Sequence, residues 1–188
     1  MTRPQPLEDL FCDLLARQEH DLAKLPPVHL WNPPKTGDMD LIVDREGRWI
    51  HEGGEIKRDR LVKLFSTILK REGNNYFLVT PVEKWQIVVD FAPFYIISAS
   101  RENRARQQAI SLTTSTGETI VISEEHPLWV DDSKGADHPT PLIVVRGNLP
   151  GLLSRTVFYQ LVEWGLPAAD GGLYIDSMGQ QFLLGMME

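Results

Sequence analysis

Apolar residues recur along this chain in two rhythms. The plainest lies in the stretch YFLVTPVEKWQIVVDFAPF, residues 76–94, where two apolar runs flank a short polar corner. Continuous runs of this length predict strands buried on both faces. Their turn falls at Thr80, Pro81, Glu83 and Lys84. The second rhythm is helical. Leu7, Leu10, Phe11, Leu14 and Leu15 share one helix face, and Pro26-Pro27 excludes a helix beyond them. That face either docks a partner or lies on the core. Leu61, Leu64, Phe65, Ile68 and Leu69 repeat the spacing, with Gly73 as the stop signal. Leu149, Leu153, Val157, Leu161 and Trp164 predict a third helix, with Pro150 in its first turn and Gly165 and Pro167 at its end.

Between these lie strand signals. Residues 39–43 and 48–51 read as a hairpin turning at Glu46-Gly47. Residues 94–99, 109–113 and 119–122 read as antiparallel strands, with a charged turn at 101–106. A short strand at Trp129 sits in the polar segment 124–141. Residues 142–145 form another strand, and 173–175 with 182–184 a closing hairpin. Residues 29–40 are expected to be irregular, because two prolines and a glycine interrupt them.

The order strand, Trp-bearing strand, helix, hairpin occurs twice. Ile42 and Trp49, the helix 61–69 and the hairpin 76–88 answer to Val121 and Trp129, the helix 152–164 and the hairpin 173–184. Tyr76 falls on Leu173 and Trp85 on Phe182 without a gap. This predicts an internal duplication. The fold class is α+β, two related halves with antiparallel sheets and a helix each. The expected organisation is an N-terminal helical segment at 1–27, a first unit at 28–100 and a second at 101–188.

Composition narrows the function classes. At 188 residues, with 42% hydrophobic and 24% charged residues, the chain is long enough for a sizeable core and is not disordered. It has 19 basic and 26 acidic residues and a net charge of −7, which disfavours nucleic acid polymers and anionic membranes as partners. Cys12 is its one cysteine, so neither an intrachain disulfide nor a cysteine metal cage is expected. With no signal pattern and no long apolar run, a cytoplasmic location is the expectation.

No phosphate loop, dinucleotide fingerprint or nucleophile elbow is present. His20, His29, His51, His126 and His138 are scattered, without metal-ligand spacing. Asp131, Asp132, Gly135 and Asp137 do not follow a calcium-loop pattern. Asp38 and Asp40, which share one side of a strand, read as solvated carboxylates. The stronger candidates are polar groups beside apolar strands. Thr80, Glu83 and Lys84 share a corner; Arg58 and Arg155 occupy corresponding helices; Arg146 ends a strand; Thr113 and Thr114 add hydroxyls. Arginine recognises phosphate or carboxylate by a planar fork. The alternative for these groups is an internal ion-pair network around Glu83, with Lys84 or an arginine as its partner.

Several blocks also resemble a known family. Trp31-Asn32-Pro33, Asp38-Met39-Asp40, Trp49, Leu61-Val62, Leu64-Phe65-Ser66, residues 78–84 (LVTPVEK), Asp90 with Pro93-Phe94, His126-Pro127-Leu128, Val145-Arg146, Arg155 and Phe158-Tyr159 are similar to the bacterial domain of unknown function 1285. The resemblance spans about residues 29 to 185, and departs from the family's pattern at Thr113-Thr114 and at residues 174–176. It implies two domains, a second half like a pleckstrin-homology barrel, a nucleotide-like ligand between the halves, and a signalling role.

The expectation is therefore a non-enzymatic regulatory protein without a cofactor, binding a small anionic ligand in the cleft between its halves. Arg58, Arg146 and Arg155 would meet the charge; Thr80, Glu83, Lys84 and Thr113 would line the polar edge; Trp31 or Tyr159 would stack. The alternative is a protein-interaction or dimerisation module. A hydrolase using His126 or Glu83 as base is the third reading, and it lacks a visible nucleophile.

Overall fold

A computed structural model of the chain describes Leu7, Phe11, Ala16 and residues 25–104, 106–133 and 139–187. Two compact units result: Met1–Val43 with Arg48–Val89, and Asp44–Gly47 with Asp90–Glu188. Each contains a six-stranded sheet and a helix. No helix among the described residues is long and apolar enough to cross a membrane.

In the first unit, β1 (Lys35–Val43), β2 (Trp49–His51) and β3 (Gly54–Glu55) form one antiparallel meander. Helix α1 (Asp59–Thr67) follows, and then a second meander of β4 (Leu69–Glu72), β5 (Asn75–Val79) and β6 (Glu83–Val89). Pairing of β1 with β6 in parallel joins the two into the order β3-β2-β1-β6-β5-β4. Leu61, Leu64 and Phe65 give α1 one buried face. Ser66 and Thr67 hydroxyls donate to the carbonyls of Lys63 and Leu64 as the helix ends. The stop therefore comes before Gly73, and Lys70 and Arg71 lie on a strand. Phe11 is helical, buried, and edge-on to Phe65 at 5.0 Å between centroids, so this residue of the expected N-terminal stripe lies in the core. Leu10, Leu14 and Leu15 of that expected stripe, with Cys12 and His20, lie outside the described residues, as do Gly135, Asp137 and His138 of the polar segment.

In the second unit, β7 (Phe94–Arg104), β8 (Gln107–Thr114) and β9 (Thr119–Val121) form one meander. Another is made by β10 (Leu128–Asp131), β11 (Thr140–Arg146) and β12 (Leu149–Leu153). Parallel pairing of β12 with β7 gives the order β10-β11-β12-β7-β8-β9. Helix α2 (Arg155–Trp164) follows, and β13 (Leu166–Pro167), β14 (Gly172–Ser177) and β15 (Gln180–Met186) form a separate three-stranded sheet. A six-stranded sheet followed by a helix is compatible with a pleckstrin-homology-like half.

The duplication is visible as meander, helix, meander: β1 to β6 around α1, and β10 to β15 around α2. Both six-stranded sheets are antiparallel except at the central pair.

Four local expectations are corrected. Leu149–Leu153 is a strand, not the first turns of a helix, because Leu149, Gly151, Leu152 and Leu153 are buried on both faces. A Cβ on Gly151 would meet Val145 Cγ2 at 2.9 Å and Ile96 Cδ1 at 3.2 Å. Pro150 sits beside the bulge between Val144 and Arg146, where a missing N–H is tolerated. The irregular segment at 29–40 is shorter than expected: β1 begins at Lys35, after a 3-10 turn at Val28–Leu30. The turn expected at 101–106 is also shorter, because β7 runs to Arg104. Finally, β6 is buried on one face only, and Val88 is exposed on the other.

Candidate functional site

The polar corner at 80–84 is built by a turn that Thr80 holds. Thr80 is buried; its Oγ1 accepts the backbone N–H of Val82 at 3.3 Å and of Glu83 at 3.0 Å, and donates to the Glu83 carbonyl at 3.3 Å. The turn starts β6 with Glu83 and Lys84 side by side in sequence and on opposite faces of the strand.

Parallel pairing with β1 sets Lys35 opposite Glu83. The Lys35 ammonium donates to Glu83 Oε1 at 2.5 Å and lies 5.5 Å from the centre of the Trp85 ring. The Trp85 indole N–H donates to Glu83 Oε2 at 3.1 Å. Both carboxylate oxygens are thus engaged, and the Lys35 hydrogen bond, foremost, holds the carboxyl below its usual range. A carboxylate held ionised in this way is a weak general base, which counts against a hydrolytic role.

On the other face, Lys84 donates to Glu72 Oε2 at 2.8 Å and sits 4.7 Å from the centre of the Phe77 ring. Lys70 approaches Glu72 Oε1 at 3.1 Å and donates to the Trp31 carbonyl at 3.2 Å. The bond from Lys84 lowers the Glu72 pKa most. The first unit therefore holds an internal ion-pair network in this corner. Among the described residues its pairs are Glu83 with Lys35, and Glu72 with both Lys84 and Lys70, not Glu83 with Lys84 or an arginine. Trp31 is half-buried beside it, and Arg58 is exposed at the N-cap of α1.

In the second unit, Arg146 Nη1 donates to Glu118 Oε2 at 2.8 Å, with its guanidinium 5.0 Å from the centre of the Phe94 ring. Burial of Arg146 lowers its pKa, and the Glu118 carboxylate opposes that shift. Thr113 Oγ1 lies 3.2 Å from Thr119 Oγ1, a cross-strand hydroxyl pair. Thr114 Oγ1 accepts the Glu118 N–H at 3.0 Å, fixing the turn that presents Glu118. The His126 ring Nδ1 is 3.0 Å from the Val144 carbonyl.

Arg155 and Tyr159 are placed differently. They stand one turn apart on α2, and both are exposed, Tyr159 at 60%. Buried Val157, Phe158 and Leu161 fix the helix. Its N-cap Ser154 accepts the Val157 N–H at 3.3 Å. Among the described residues, no hydrogen bond or ion pair engages the Arg155 guanidinium.

An open hollow of about 480 Å³ also lies in the second unit, lined by Ser123, Glu124, Glu125, Met178 and Gln180. Its two carboxylates give it the wrong sign for an anion. Among the described residues no three His, Cys, Asp or Glu side chains gather to hold a metal ion.

Lys35, Glu72, Trp85 and Glu118 were not among the candidates from sequence. Lys35 meets Glu83, and Glu118 meets Arg146, from segments distant in the chain, which only folding brings together.

The comparisons agree with this architecture. Residues 26–92 match the N-terminal domain of the domain of unknown function DUF1285, and residues 93–184 match the C-terminal domain of the same family. A DUF1285 family protein from Silicibacter pomeroyi DSS-3 has a solved structure that is 39% identical, with a TM-score of 0.80, covering 87% of this chain and 89% of that one. A DUF1285 family protein from Shewanella baltica OS155 is 25% identical, with a TM-score of 0.54, covering 66% of this chain and 91% of that one. No curated protein matches the chain. Both domain matches and the fold shared with the Silicibacter protein lead to one assignment: the chain belongs to the DUF1285 family.

Proposed function

We propose that the chain is a non-catalytic regulatory protein of the cytoplasm that binds a small anionic, nucleotide-like ligand through Arg155 and Tyr159. The observation that carries this reading is the state of that pair. Thr80, Glu83, Lys84, Thr113 and Arg146 each have a partner inside the fold. Arg155 and Tyr159 remain exposed together on a fixed helix. The start of a helix carries partial positive charge, so a cation there adds to the same field instead of offsetting it. A guanidinium fork grips phosphate or carboxylate, and an exposed phenol offers a flat face and a hydroxyl.

A thermal-shift panel of nucleotides, sugar phosphates and small carboxylates tests it. A ligand at 100 times its Kd stabilises the native state by about 2.7 kcal/mol, a visible rise in Tm. One chemical class should shift the wild type, and Arg155→Ala should lose the shift while unfolding at the wild-type temperature. No shift with any class, or an undiminished shift in Arg155→Ala and Tyr159→Ala, would remove the basis for the reading.

A further inference from the structure

The last three strands carry an exposed apolar row that the ligand reading does not use. Leu166, Tyr174 and Leu183 are register neighbours across β13, β14 and β15. Leu166 is 61% exposed, Leu183 41%, and Met186, which pairs with Gly172, 66%. Ile175, Phe182 and Leu184 are buried, so the sheet has one face in the core and one in solvent.

Tyr174 is fixed on the open face. Its hydroxyl donates to Asp170 Oδ2 at 2.8 Å. Its ring lies over Gly172, where a Cβ would come within 2.4 Å of Tyr174 Cε2. The Asp170 carboxylate also accepts the Gly172 N–H at 2.9 Å. A large aromatic held in one orientation among exposed aliphatic groups has the makings of a binding hot spot, because less side-chain entropy remains to be lost.

Charge then selects the occupant. Residues 165–187 contain Asp170 and Asp176 and no lysine, arginine or histidine. Asp176 lies two residues beyond Tyr174, on the same side of the strand. A second copy docking here would bring aspartates against aspartates, in a chain of net charge −7. We propose that this face is a docking surface for another protein, one that presents an apolar segment flanked by lysine or arginine. Its apolar row would fill the partner's centre, and the two aspartates would meet the basic rim.

Panning a random-peptide display library against the full chain tests this. The selected peptides should combine aromatic or aliphatic residues with flanking lysine or arginine. Their affinity should fall about tenfold or more in Leu183→Glu and in Asp176→Lys, as for a central contact and a rim charge. Both positions face solvent, and unchanged unfolding temperatures would show that both variants fold. Several results would overturn the proposal: no binder, binders without basic enrichment, or affinities unchanged in both variants. Sedimentation showing a wild-type dimer that Leu183→Glu dissociates would assign the face to a second copy and overturn it too.

Discussion

The Trp85 indole lies across the backbone of Gly37, so closely that a Cβ there would stand 2.7 Å from Trp85 Cζ3. The two residues are register partners on the parallel pair β1 and β6. Gly37→Ala should therefore destabilise the first unit by about 1–3 kcal/mol, the usual cost of overpacking. Trp85→Ala should remove most of that penalty, and a double-mutant cycle by chemical denaturation measures the coupling. Additive effects would mean that the ring moves aside without cost.

Thr80 should tolerate serine and not valine. Valine keeps the volume but removes the oxygen that accepts the Val82 and Glu83 N–H groups. The expected loss for Thr80→Val is about 1–3 kcal/mol, with Thr80→Ser near wild type. Equilibrium unfolding of the two variants checks this.

Acid should weaken the first unit through Glu72 and Glu83. Both carboxyls have folded pKa values below their usual range, chiefly from the Lys84 and Lys35 hydrogen bonds. The unfolded chain therefore takes up protons first as pH falls. Their contribution is complete above the usual carboxylate range and disappears as pH drops through the folded values. Stability between pH 7 and pH 3 should fall less steeply in Glu72→Gln and Glu83→Gln than in wild type. Parallel pH profiles would mean that the ion pairs are too solvated to matter.

Ser154→Ala should cost about 1 kcal/mol, through loss of the Val157 N–H acceptor at the start of α2. Ser154→Asp should restore the loss. Thermal unfolding distinguishes the two, and retention of full stability by the alanine variant would assign no weight to the cap.

Much of the fold was legible in the sequence. The stripe Leu61, Leu64, Phe65 and the runs around the 80–84 corner defined elements that exist. The internal duplication was readable from the order of elements. By contrast, residues 149–153 misled, because leucines around a Pro-Gly pair satisfy a helical face and a doubly buried strand equally well; pairing with β11 on one side and with Phe94, Tyr95 and Ile96 on the other decides. The site was legible as a corner and not as a network. Thr80, Glu83 and Lys84 were visible as neighbours, whereas Lys35 reaches Glu83 through parallel register, which local pattern does not encode. Exposure separated Arg155 and Tyr159 from Thr80, Glu83, Lys84, Thr113 and Arg146, and exposure depends on packing.

The central pairs of both six-stranded sheets, β1 with β6 and β7 with β12, join the first strand of each set to its last. Neither seam can close until the whole set has left the ribosome. The meanders can form early, from local hairpins, and must then wait for a loop closure across the full set. Synthesis would thus pass through a stage in which β1 exposes an unpaired edge, and again with β7. Such edges invite strand pairing between nascent chains. Refolding yield should therefore depend more on chain concentration than the stability of the finished fold would suggest.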